Sequence, residues 1–105
     1  MESGFEERKK KHEEKWALDE ELKFKAVARR NKLLGLWAGA EMGMTPDEAG
    51  AYAKTVVAAA VQPGGVLAKV TADIATHGLA HGEDAIRHKM EELLLRAEEQ
   101  VQAGI

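Results

Sequence analysis

Three breaks divide most of this chain into four stretches, and each stretch carries apolar residues at helical spacing. Gly43 follows the first stretch, Gln62-Pro63-Gly64-Gly65 ends the second, and Gly78 closes the third. Such breakers stop helices, whereas a continuous 3.6-residue apolar period between them promotes helices. The expected helices lie near residues 21–41, 46–61, 65–76 and 83–102. Their apolar stripes are Leu22, Ala26, Leu33, Trp37 and Ala40, widened by Val27 and Leu34; then Ala49, Tyr52, Ala53, Val56, Val57 and Ala60; then Val66, Leu67, Val70 and Ile74; and finally Ile86, Met90, Leu93, Leu94, Ala97 and Val101. Thr45-Pro46-Asp47-Glu48 has the form of a capping box with proline at the first helical position. Asp19 and Glu20 are the expected caps of the first helix. With two prolines and few β-branched runs, strands are not expected. Four helices joined by short loops predict an all-α, compact, mostly antiparallel four-helix bundle. The alanines of the second helix permit close approach, which predicts that it sits at the centre.

The character of the chain is different before residue 17. From Phe5 to Trp16 nearly every residue is charged, and Phe5 is the only large apolar side chain before Trp16. A segment with so little to bury cannot offset the entropy of ordering. Glu6 with Lys10, and Glu7 with Lys11, are favourable i,i+4 pairs. At about 0.3–0.5 kcal/mol each, they are too weak to overcome helix nucleation alone. Residues 1–18 are therefore expected to form a flexible, charged recognition arm, and residues 19–105 the helical domain. Phe5 suits an apolar pocket on a partner, with Arg8, Lys10 and Lys11 meeting carboxylates. The bland alternative is a solubilising tail. Trp16 is expected at the hinge and exposed, Trp37 in the core.

Charge and composition exclude several classes. The net charge is −3. Residues 1–16 balance Arg8, Lys9, Lys10, Lys11 and Lys15 against Glu2, Glu6, Glu7, Glu13 and Glu14, so the acid excess lies entirely in the body. A nucleic-acid partner, which requires a net basic face, is not expected. No run of about 18 apolar residues exists for membrane insertion, and no apolar h-region follows the basic cluster, so a secretory signal is not expected. Cysteine is absent, which removes disulfides and thiolate chemistry and fits a cytoplasmic setting.

Little supports catalysis or metal binding. Ser3 is the only serine and lies in the arm. His77 and His81 have the spacing of a helical metal pair, with Asp84 and His88 nearby, but Gly78 interrupts the helix and a closed zinc site requires four ligands. Gln62-Pro63-Gly64-Gly65 lacks the strand and Gly-Lys-Ser/Thr ending of a phosphate loop. Arg29-Arg30-Asn31-Lys32 reads first as a solvated helix face, with Arg29 paired to the fourth helix. Its functional reading is anion or adenine-nucleotide contact through Arg29, Arg30 and Lys32.

Longer motifs carry a resemblance. Phe5-x-x-Arg8, His12-Glu13-x-Lys15-Trp16-Ala17-x-Asp19 and Phe24-Lys25-Ala26-x-Ala28-Arg29-Arg30-Asn31-x-Leu33-Leu34-Gly35-x-Trp37-Ala38 resemble the zeta subunit of alphaproteobacterial ATP synthase. The likeness continues through Ala51-Tyr52-Ala53-x-Thr55-Val56-Val57, Lys69-Val70-x-Ala72-Asp73 and Ile86-Arg87-x-Lys89-Met90-x-Glu92-Leu93, and so covers nearly the whole chain. It implies a four-helix bundle with an N-terminal inhibitory segment that enters the catalytic interface of F1 between alpha and beta, beside gamma, and stops rotation in the hydrolytic direction. Phe5, Arg8, His12, Glu13 and Lys15 become inhibitory contacts by that likeness, within a segment that also includes Glu6, Lys9, Lys10, Lys11 and Trp16. Two positions depart from the family pattern: Lys9-Lys10-Lys11 is more basic, and Gly82 replaces an acidic cap.

Residues and resemblance together point to a non-enzymatic inhibitor of F1, monomeric when free, cytoplasmic and peripheral to the inner membrane through F1, with no required cofactor. The rival readings are an adenine-nucleotide-sensing bundle and a generic helical adaptor.

Overall fold

The computed structural model describes residues 19–105, and within them all regular structure is helical. Helix α1 spans Glu20–Glu41 and α2 spans Pro46–Ala58, prolonged by a 3-10 turn at Ala59–Val61. Helix α3 spans Gly65–Thr76 and α4 spans Glu83–Ala103. All four match the expected stretches closely, and the 3-10 turn shows how the second helix tightens before Pro63.

Local chemistry sets these bounds. The Asp19 carboxylate accepts from the Leu22 N–H at 3.0 Å and so caps α1. Its other end stops before Gly43, whose φ of +81° places it in the left-handed region where glycine carries no Cβ penalty. At the start of α2 the capping box is reciprocal: Glu48 N–H donates to Thr45 Oγ1 at 3.2 Å, and Thr45 N–H donates to Glu48 Oε1 at 2.9 Å. Gly82 begins α4 without a side-chain cap, so favourable charge at that end comes from Glu83 and Asp84.

The core gathers around Leu34, Val56, Val70, Ile74 and Ile86, the largest side chains fully withdrawn from solvent. Burial of each stabilises the fold by about 1.5–3 kcal/mol relative to exposure. Leu93 extends this core along α4, while Leu33, Trp37, Tyr52 and Met90 pack against it from the side.

The structure corrects the expected centre. Helix α1, rather than α2, lies against all three other helices, most extensively α2 and α4. Small residues of α1 make this possible. A methyl group on Gly39 would lie 2.9 Å from the Ala49 Cβ, so the α1–α2 seam closes only because glycine stands there. The buried face of α1 accordingly runs through Ala26, Asn31, Leu34, Gly35, Ala38 and Gly39. Val27 and Ala40, expected in the stripe, are exposed, and Trp37 is half-buried. On α2, Val57 and Ala60 are exposed while Ala59 is buried; on α4, Leu95 joins the core.

Polar contacts tie α2 to α3 and α1 to the end of α4. Tyr52 Oη donates to Asp73 Oδ2 at 2.7 Å, and Lys69 Nζ reaches the same oxygen at 3.0 Å, linking α2 to α3. Arg29 Nη1 donates to Gln100 Oε1 at 2.9 Å, and its Nη2 donates to the Ile105 backbone oxygen at 2.6 Å, linking α1 to the end of α4.

Candidate partner-binding site

The expected inhibitory contacts, Phe5, Glu6, Arg8, Lys9, Lys10, Lys11, His12, Glu13, Lys15 and Trp16, lie outside the described residues. The body next to that segment carries a surface groove of about 600 Å³. Asp19 caps α1, and the first turns of that helix run directly along one side of the groove. Its apolar wall comes from Leu22, Phe24, Val57, Val101 and Ile105. Phe24 is 77% exposed and, with Ile105 and Val57 on the same groove, forms an apolar patch open to solvent. Lys25, Arg29 and Lys32 also line the groove.

The structure separates the three residues singled out for anion contact. Arg29 and Lys32 share the groove, whereas Arg30 does not line it. Arg30 Nε donates instead to Asn31 Oδ1 at 2.8 Å, and burial pushes its guanidinium below the usual arginine range. Asn31 is only 3% exposed, so this bond supplies an acceptor that is withdrawn from water with a donor. The expected pairing of Arg29 with the fourth helix is present, but its partner there is the Gln100 amide rather than a carboxylate. Sequence reasoning missed Lys25, Phe24 and Val57 as groove residues. The i,i+4,i+7 spacing of Lys25, Arg29 and Lys32 was available as a signal; the contribution of Val57 depends on how α2 crosses α1.

The histidines are drawn to different partners. His77 Nδ1 lies 2.9 Å from the Asp73 backbone oxygen, and His81 Nε2 lies 3.5 Å from Glu41 Oε2. The His81 ring also lies 5.4 Å from that of Trp37, and Lys89 Nζ stands 5.4 Å from the same Trp37 ring. Among the described residues no group of three or more His, Asp or Glu side chains could hold a metal ion. No described helix is long and apolar enough to cross a membrane.

A small helical body with a cation-lined apolar groove presents the kind of surface on which protein–protein recognition is built. The chain belongs to the ATPase inhibitor subunit zeta family, whose family model matches residues 1–100. It is accordingly a non-catalytic regulator of the ATPase. No curated protein matches the chain.

Proposed function

We propose that this chain blocks ATP hydrolysis by F1 through residues 1–18, which enter the catalytic interface of alpha and beta beside gamma as a helix formed on binding. The observation that carries this reading is the extent of the family match, which begins at residue 1 and so takes in the charged segment together with the helical body. Coupled folding and binding suits a regulator, because the ordering cost moderates affinity and keeps the bound inhibitor displaceable. Phe5 serves as the apolar anchor, and Arg8, with the neighbouring lysines, pairs with carboxylates of the motor. Residues 19–105 act as the folded domain that carries the segment, and the free chain is a monomer.

The test is a titration of purified F1 with the full chain and with a variant lacking residues 1–16, following hydrolysis and thermal unfolding on the same samples. Loss of inhibition with little change in melting temperature is expected. Equal inhibition by the shortened chain would reduce the segment to a solubilising tail.

A further inference from the structure

We propose that the groove along α1 is a second docking surface, which receives an acidic amphipathic helix of the motor while residues 1–18 occupy the catalytic interface. The proposal rests on the inhibitory reading above and adds the chemistry of the partner. Lys25, Arg29 and Lys32 stand at i, i+4 and i+7, so their stems leave one side of α1 over about 10 Å. Among the described residues no acidic side chain lines the groove, although Glu21 lies 3.4 Å from Lys25. This local positive charge stands on a body that carries the chain's whole net charge of −3, since residues 1–16 balance five bases against five acids. Beside the cations lie apolar surfaces that water would otherwise cover, with Phe24 at 77%, Ile105 at 76% and Val57 at 38% exposure.

An occupant that satisfies both halves has an apolar stripe for Phe24, Val57 and Ile105 and a carboxylate placed one or two helical turns away to meet Lys32. Arg29 is already held by Gln100 and Ile105, so it shapes the floor, while the exposed Lys32 supplies the approachable charge. Position argues for the motor as the source. The groove begins at Leu22, three residues after the Asp19 cap, so a surface that receives the preceding segment brings α1 against its own rim. Two linked contacts would also raise the effective concentration of the segment at its site.

The test uses full-length Phe24→Ser and Lys32→Glu variants, whose altered side chains are exposed and leave the core intact. Each should shift the dose-response against F1 to about tenfold higher concentration without lowering maximal inhibition. Lys32→Arg should stay near the parent, and added salt should weaken the parent more than Lys32→Glu. Unchanged dose-response curves for both groove variants overturn the proposal. If they are unchanged while loss of residues 1–16 relieves inhibition, the groove assignment alone fails. If loss of residues 1–16 changes nothing, the inhibitory reading itself fails. A photoreactive side chain at position 24 should cross-link to an acid-rich helix of an F1 subunit. Adducts confined to residues 1–18 of the same chain, or to a second copy, overturn the proposal. Shifts of groove resonances on adding ADP, together with groove variants that inhibit like the parent, assign the groove to nucleotide instead.

Discussion

Gly35 of α1 faces Ala53 of α2 so closely that a methyl group on Gly35 would lie 2.5 Å from the Ala53 Cα. That atom is backbone and cannot swing aside, so Gly35→Ala forces the helices apart. Alanine favours a helix interior by about 1 kcal/mol over glycine, but overpacking typically costs about 1–3 kcal/mol or more. The expected result is net destabilisation, read as a lower midpoint in urea. The same change at Gly50, where a methyl group meets nothing within 4 Å, should be neutral or stabilising.

Thr71 Oγ1 is the one buried side-chain polar atom among the described residues without a hydrogen-bond partner. Valine keeps the shape and the helix propensity while removing the unmet hydroxyl. Thr71→Val should therefore stabilise the protein by about 1 kcal/mol, seen as a higher melting temperature.

The capping box predicts an acid-side titration. Thr45 N–H donates to the Glu48 carboxylate, and this bond, with a further contribution from the Thr45 side chain, holds Glu48 below the ordinary glutamate range. A depressed folded value means that the carboxylate's contribution to stability is present above the unfolded value and is lost as pH falls through the folded one. Carbon-detected titration should show the low midpoint in the parent. In Thr45→Ala the midpoint should rise, and loss of the N-cap should cost about 1 kcal/mol of stability.

Tyr52 predicts the opposite flank. Burial first, and then the bond to Asp73 with its negative charge, push the phenol well above its ordinary value. A raised folded value gives stability that is complete below the unfolded value, about 10, and lost as pH climbs toward the folded one. Because Tyr52 is the only tyrosine, phenolate absorbance reports it alone. Ionisation should coincide with alkaline unfolding rather than precede it. Tyr52→Phe should reduce the alkaline sensitivity and cost about 0.5–1.5 kcal/mol at neutral pH.

Replacing Phe5 and Arg8 with alanine tests the proposed segment more gently than deletion. Loss of an interface anchor typically costs about 2 kcal/mol, roughly thirtyfold in affinity. The dose-response against F1 should shift by that order, with thermal unfolding of the body unchanged.

The helices and their ends were legible in the residues alone. Local rules suffice there: Thr45 and Glu48 are three residues apart and cap each other without help, Asp19 caps α1, and Gly43 accepts the left-handed turn at φ +81°. Arg29 and Lys32 also stood out as residues of interest, because charges repeated at helical spacing declare themselves locally. Which face of α1 turns inward, by contrast, depends on contacts between helices. A stripe of large apolar residues predicts Leu33 and Trp37 at the centre, yet the seam runs through Gly35, Ala38 and Gly39, because close approach to Ala49 and Ala53 demands the absence of side-chain volume. That rotation leaves Trp37 half-buried beside His81, and it leaves Phe24 exposed to solvent. The groove exists for the same reason. Leu22 and Lys25 of α1, Val57 of α2 and Val101 of α4 are far apart in sequence, and they line one cleft only once the glycine seam has set how closely α2 approaches α1.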